Sequence, residues 1–425
     1  MTMSKKNAIT PMHTESGFNS FKCMEESSHL NESREKEEGK EEDASIVEFT
    51  EWEDLDISSS LLRGIFSAGF EKPSPVQRKA IIPILTGNDV SVQAQSGTGK
   101  TGTFSIGALS KVNIEDPNVQ ALILSPTREL ALQTLKVVET LGSMIKGLVA
   151  YSLIGGIPVE QDVQFIRSHR PQLIVGTPGR VFDILSRNVI SNKKIKIVVL
   201  DEVDELLSFG FKTQIHDIFQ HFDGNIQVAL FSATIPVGLN SITDRFLRNP
   251  VTISVKSELL TLEGIKQYFV AVDDDAMKYG VLQELYSRLS LLQCIIYCNS
   301  IKRVDDLYTA MNADNFPVCC IHGQMDKETR AAGFASFLNG ESRVLISSDI
   351  TSRGIDIQQV STVINFDVPQ CIHKYLHRIG RGGRFGKKGV AINFITRRDL
   401  AKIKEIEQHY GTQICELPEI IDGLF

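Results

Sequence analysis

Thirteen short apolar runs, each three to six residues long, punctuate residues 90 to 394, and most are followed at once by a residue that carries chemistry. The first set is Val90–Gln95, Ala121–Ser125, Val149–Ile154, Leu173–Gly176, Ile197–Leu200, Val228–Phe231 and Val251–Val255. The second is Tyr268–Val272, Cys294–Cys298, Val318–Ile321, Val344–Ile346, Val363–Phe366 and Val390–Phe394. Continuous apolar runs read as strands covered on both faces, and segments such as Arg128–Leu141 and Val159–Arg167 fit helices between them. Strand and helix in alternation predict an α/β chain with mostly parallel, doubly wound sheets. The polar break at 256–263 divides it into two units, placed at 49–255 and 264–425. Open sheets of this kind bind ligands where strands end at their carboxyl edge. Ser125-Pro126-Thr127-Arg128, Gly155-Gly156, Thr177-Pro178-Gly179-Arg180, Asp201-Glu202 and Ser232-Ala233-Thr234 all fall there, as do Asn299, His322-Gly323 and Ser348-Asp349.

Directly after the first strand, Ala94-Gln95-Ser96-Gly97-Thr98-Gly99-Lys100-Thr101 has the composition of a phosphate-binding loop. Glycines let backbone N–H groups turn around a polyphosphate; the lysine reaches its outer phosphates, and the threonine hydroxyl suits Mg²⁺ at a helix start. Ala94 stands where the common form of this loop has glycine. The run Lys196 to Asp204 ends an apolar strand in carboxylates, which fits Asp201 organising Mg²⁺ and Glu202 polarising a water. Only the first unit carries such a loop.

The net charge of −7 hides two different regions. Glu25 to Asp54 hold thirteen acidic and three basic side chains, whereas the chain beyond them is close to neutral. Residues 1–48, rich in Ser, Glu and Lys with little apolar periodicity, read as a disordered acidic tail, with order starting near Phe49 and Trp52. Any nucleic-acid surface must then be a local basic strip. No apolar run approaches the ~18 residues of a membrane span, and no charged-then-apolar leader opens the chain. Seven cysteines without paired spacing, four of them (Cys294, Cys298, Cys319, Cys320) in strand runs, read as reduced core residues and fit a reducing compartment.

Taken in order, the motifs resemble those of the DEAD-box RNA helicases, from about Trp52 to Phe425. They are Gly69-Phe70-Glu71-Lys72-Pro73 with Gln77, the phosphate loop, P-T-R-E-L-A at Pro126–Ala131 and T-P-G-R at Thr177–Arg180. D-E-V-D at Asp201–Asp204, S-A-T at Ser232–Thr234, S-R-G-I-D at Ser352–Asp356 and H-R-I-G-R-G-G-R at His377–Arg384 follow. The resemblance implies two tandem RecA-like domains and an RNA-stimulated ATPase using ATP and Mg²⁺. It implies that Gln77 reads adenine with Phe70 nearby, that Asp356 joins the ATP site, and that Arg381 and Arg384 reach it from the second domain as arginine fingers. Trp52 stands at the upstream aromatic position, either against the nucleotide or as a staple for the tail. Asp204, Ser232, Thr234 and His377 would couple nucleotide state to domain contact. Thr127, Arg128, Gly156, Thr177, Gly179 and Arg180, with Asn299, Ser348 and Arg353, would hold single-stranded RNA by its backbone, without reading bases.

Within the family, Leu260–Val270 and the run from His377 to Phe394 resemble the translation-initiation branch, which implies unwinding of short duplexes in mRNA 5′ leaders, a scaffold partner, a monomeric chain and a cytoplasmic setting. The alternative is an ATP-gated RNA clamp or assembly factor of the nuclear exon-junction or ribosome-biogenesis type. A DNA-translocating motor fits less well, since no wedge insertion interrupts either unit. Two positions depart from the family pattern: Val203 and Ser352 each stand where alanine is usual. Val203 leaves every carboxylate in place.

Overall fold

The computed structural model describes residues 47–418 except 96, 208–210, 223–225, 234–245, 256–264, 289–292, 350–359 and 382–388. The tail through 46, the break at 256–263, and Ser96, Thr234, Ser352, Arg353, Asp356 and Arg384 lie outside the described residues.

Fourteen strands are described. In the first unit they are β1 (Val90–Ala94), β2 (Ala121–Leu124), β3 (Ala150–Leu153), β4 (Leu173–Gly176), β5 (Ile197–Asp201), β6 (Gln227–Ser232) and β7 (Val251–Val255). In the second they are β8 (Ile265–Ala271), β9 (Cys294–Tyr297), β10 (Val318–Ile321), β11 (Val344–Ser347), β12 (Thr362–Asn365), β13 (Gly389–Ile395) and β14 (Cys415–Glu416). They form two seven-stranded sheets, ordered β3-β4-β2-β5-β6-β1-β7 and β10-β11-β9-β12-β13-β8-β14. Counted within its own unit, each sheet has the same order: third, fourth, second, fifth, sixth, first, seventh. Every described strand pair is parallel, so the chain is one doubly wound design used twice.

Burial explains the apolar runs. All five residues of β5 are buried; Ile197 and Val199 face one core while Val198 and Leu200 face the other, as a period of two requires. In β9, Cys294 and Ile296 likewise separate from Ile295 and Tyr297. The edge strand β3 is buried only at Leu153. Cys294, Cys298 and Cys319 are buried and Cys320 half-buried, and burial pushes these thiols up to about 11 to 12, as befits inert core sulfur.

Two strands escape a periodicity reading. β14 is two exposed residues whose strand character rests only on its pairing with Tyr268 and Phe269. β8 starts three residues earlier than the apolar pattern predicts, because Gln267 is buried: its amide donates to Thr412 and accepts from the Tyr375 hydroxyl.

Candidate functional site

Register brings the strand ends of the first sheet into line. Gln93 is level with Ser232, and Asp201 with Phe231, so the phosphate loop, the carboxylates and Ser232 leave one edge together. Leu124 and Leu153 are both level with Gly176, which places Thr127, Gly156 and Thr177 along the same edge, beyond β5.

Gly97 and Gly99 both adopt positive φ, +84° and +101°, as a loop wrapping a ligand requires. Gly99 caps the helix Lys100–Ser110, and the Thr98 hydroxyl donates to Gln95 O at 2.7 Å. Lys100 is buried and its Nζ donates to Ala94 O at 2.8 Å, closing the loop on itself. Thr101 follows, half-buried, in the first turn. Before the loop, the helix Pro75–Leu85 opens with a capping box: Ser74 N donates to Gln77 Oε1 at 2.7 Å, and Gln77 N to Ser74 Oγ at 3.4 Å. Gln77 Nε2 faces Gly99 O at 3.5 Å, so this amide ties its helix to the loop. Phe70 lies on the same surface, where a Cβ at Gly102 would come within 2.8 Å of its ring. Trp52 is fully buried, its ring 5.7 Å from Phe49 and 6.2 Å from Phe70.

The carboxylates stand at the end of β5. Asp201 and Glu202 are both buried, and burial, with the charge of Glu202 second, pushes the Asp201 carboxyl up to about 8; Lys100 pulls the other way. Such crowding of acidic groups beside the Lys100 ammonium fits a divalent cation, and Asp201 and Thr101 are the residues that would hold it. Glu202 has φ +50° and ψ +56°, the left-handed region, at the head of the helix Val203–Leu206.

Asp204 joins the two sheets. Its Oδ1 accepts from Ser232 Oγ at 2.9 Å, and its Oδ2 lies 3.2 Å from His377 Nε2 on the helix Ile372–Ile379 of the second unit. Arg378 on that helix and Arg381 just beyond it are both fully buried. Arg378 donates to Asp349 Oδ1 at 2.6 Å, to Asn299 Oδ1 at 2.8 Å, to Asp367 O at 2.8 Å and to Asn365 Oδ1 at 3.2 Å, with its guanidinium over the Tyr297 ring. Asn299 Nδ2 in turn donates to Val368 O at 2.8 Å, and Ser348 stands half-buried beside Asp349. One arginine thus pins the ends of β9, β11 and β12. Arg381 donates from Nε to His377 O at 3.2 Å.

On the far half of the first edge, Thr127 caps the helix Arg128–Leu141, its hydroxyl accepting from Leu130 N at 3.2 Å. The Arg128 guanidinium overlies Gly155-Gly156, for a Cβ at Gly156 would lie 2.7 Å from its Nη1. Gly156 has φ +100°, so any side chain there is strained as well as crowded. Thr177 stands at the N-cap position of the helix Pro178–Ser186, and Gly179 is exposed. Arg180 instead turns inward: it pairs with fully buried Asp162 and donates to Ile157 O at 2.6 Å. The Tyr151 hydroxyl donates to the other Asp162 oxygen at 2.8 Å.

A model of DEAD/DEAH box helicases matches residues 74–242, and one of the helicase conserved C-terminal domain matches 277–386. Over 373 residues the chain is 48% identical to eukaryotic initiation factor 4A of Caenorhabditis elegans, covering 88% of this chain and 92% of that one. The chain belongs to the DEAD/DEAH box helicases. It is also 49% identical over 375 residues to the ATP-dependent RNA helicase eIF4A of Candida glabrata, covering 88% and 94%. S. cerevisiae Dbp5 bound to RNA and ADP BeF3 matches with a TM-score of 0.79 at 33% identity, over 87% of this chain and 95% of that one. A variant of the same protein bound to nup159, a gle1 variant, IP6 and ADP gives 0.59, over 85% and 94%. Of the two, the complex with RNA and ADP BeF3 matches this DEAD-box chain more closely.

Three further residues of this DEAD-box site, Tyr151, Asp162 and Asp367, carry no motif signal of their own and show their part only through hydrogen bonds made across elements.

Proposed function

We propose that this chain is an ATP-dependent RNA helicase that grips single-stranded RNA and opens short duplexes in mRNA 5′ leaders during translation initiation. Its units, 49–255 and 264–425 around the break at 256–263, are the two jaws. The observation that carries the reading is Asp204, hydrogen-bonded by Ser232 at the end of its own sheet and met by His377 of the second. A contact of that kind sets a buried arginine helix against the carboxylate strand only when the jaws are together.

In this reading Gln77 and Phe70 hold adenine, residues 94–101 cradle the phosphates, and Glu202 orients the attacking water. Thr101 and Asp201 would hold Mg²⁺, which would supply charge neutralisation on the phosphates. Arg381 and Arg384 stabilise the charge that develops on the transferred group, a service worth about 10³–10⁵ in rate. Thr127, Arg128, Gly156, Thr177 and Gly179 face the RNA backbone with Asn299, Ser348 and Arg353, and Arg180 supports them from beneath. The reading includes a scaffold partner from the initiation machinery and a monomeric chain, and the initiation-factor names of the relatives support a cytoplasmic setting. Among the described residues no helix is long and apolar enough to cross a membrane.

Phosphate release by purified full-length protein tests the reading. ATP hydrolysis should rise at least tenfold with single-stranded RNA and not with DNA of the same length. Turnover that stays slow with RNA present, while RNA remains gripped, would mark a clamp instead.

A further inference from the structure

Three side chains of metal-ligand type converge where the jaws touch. Glu202 and Asp204 follow the end of β5, and His377 comes from the helix Ile372–Ile379 of the second unit. One donor atom of each lies within 4.8 Å of the other two. Among the described residues no other three histidine, cysteine or carboxylate side chains come together in this way. All three are at least nine-tenths buried. Asp204 Oδ2 stands 3.2 Å from His377 Nε2. In a tetrahedral shell with bonds of roughly 2.0–2.2 Å, neighbouring donors are roughly 3.3–3.6 Å apart, so this pair is already close to the spacing of two ligands on one ion. The Ser232 hydroxyl donates to the other Asp204 oxygen at 2.9 Å and leaves Oδ2 turned to the histidine, the outer support that ligating carboxylates have.

We infer that Glu202, Asp204 and His377 form a site for a divalent transition metal of the Zn²⁺ class, distinct from the Mg²⁺ position at Thr101 and Asp201. Two carboxylates and one neutral imidazole balance the charge of such an ion. An imidazole nitrogen favours Zn²⁺, Co²⁺ or Ni²⁺ over Mg²⁺, a hard cation that prefers oxygen and keeps its water. Two ligands belong to the first unit and the third to the second, so the site is whole only while the jaws are together. An ion that binds only the closed arrangement favours it. The same ion engages Glu202, whose carboxylate orients the attacking water in the helicase reading above; a metal-bound carboxylate cannot do so. Zn²⁺ therefore stalls turnover with RNA still gripped and makes a clamp of the helicase. That consequence rests on the helicase reading; the binding site itself does not.

The test uses full-length protein stripped of metal, with Co²⁺ as the probe, because its visible absorption reports a tetrahedral shell, and Zn²⁺ to displace it. His377→Gln and Asp204→Asn keep a polar tip of similar size, and circular dichroism follows their fold. The parent should take up Co²⁺ with the absorption of a tetrahedral ion and give it up to Zn²⁺ but not to excess Mg²⁺. It should also unfold at a higher temperature with Zn²⁺ than without. Both variants should bind Co²⁺ roughly tenfold or more weakly and lose the thermal shift, while Asp201→Asn keeps both. Three outcomes would overturn the site: a parent with no tetrahedral Co²⁺, binding unchanged in His377→Gln and Asp204→Asn, or binding lost in Asp201→Asn but kept in His377→Gln. The last would put the ion at the Mg²⁺ position. For the clamp, Zn²⁺ added to the parent in saturating Mg²⁺–ATP should lower phosphate release while a fluorescent oligouridylate stays bound; RNA released together with lost turnover would overturn it. A parent without RNA-stimulated phosphate release in Mg²⁺ alone would overturn the helicase reading and leave the Co²⁺ result standing.

Discussion

Glu202 shows how one residue can bear strain for chemistry. In the left-handed region a side chain with a Cβ costs about 1–2 kcal/mol, and the turn at the end of β5 keeps it there. The turn carries the chain from a buried strand straight into a helix whose first residue, Val203, is fully buried in the core that also holds Leu200 and Leu206. Val203 therefore anchors the strained carboxylate from below, where a smaller alanine would fill less. Val203→Ala should lower stability in urea by about 1–3 kcal/mol, the loss of two methyl groups plus a small cavity. Turnover should change by less than tenfold, because every carboxylate remains. A several-hundredfold gain in RNA-stimulated phosphate release would show that valine restrains the site. Lys100→Ala should abolish RNA-stimulated hydrolysis with the circular dichroism spectrum unchanged, since the cradle is backbone and the lysine is its one ammonium.

At the scale of elements, the working edge is built by strand ends held to one another through buried ion pairs. Arg180 bonds the loop after β3 through Ile157 O and is itself fixed by Asp162, so it supports Gly155-Gly156 beneath Arg128. Asp162→Asn should raise the RNA KM about tenfold with kcat near the parent value. Unchanged or tighter RNA binding would mean that Arg180, once released, touches RNA directly. Across the second sheet, Asp349 is paired with Arg378 at 2.6 Å and Lys374 at 2.9 Å. Burial pushes the Asp349 carboxyl up, but the charges and hydrogen bonds of Arg378 and Lys374 outweigh it and hold the group below the usual carboxylate range. A depressed carboxylate stabilises the fold above its unfolded pKa of about 3.9, and the benefit is lost as pH falls through the lower folded value. The stability gap between the parent and Asp349→Asn should therefore be wide at pH 6 and narrow below about pH 4, as followed by thermal unfolding.

At the scale of the whole molecule, closure decides what the arginine helix can do. Arg381 is fully buried in the unit that has no phosphate loop of its own. It follows the helix Ile372–Ile379, whose His377 meets Asp204 of the first unit. Arg381→Ala should lower RNA-stimulated single-turnover hydrolysis by about 10² or more, while equilibrium ATP binding without RNA changes little. Arg381→Lys should rescue poorly, since a point charge lacks the planar fork. Full turnover in the alanine variant, or a loss confined to RNA affinity, would assign this arginine to RNA.

What the sequence determined by itself is whatever depends on neighbours along the chain. Apolar runs of strand length, a helix over Arg128–Leu141, glycines at 97 and 99 with positive φ, and carboxylates at a strand end are local consequences of composition and order. The duplicated sheet order was legible only as two similar rows of strands, because pairing is chosen by which faces can be covered. The tertiary structure alone decided where the long polar side chains went. Gln77 caps its own helix and meets the loop, Arg180 turns inward to Asp162, Arg378 is buried among three strand ends, and Trp52 enters the core. A glutamine, arginine or tryptophan can reach several partners from one backbone position. Which partner it meets is fixed by elements far away in sequence, through the cost of leaving a buried polar group unpaired.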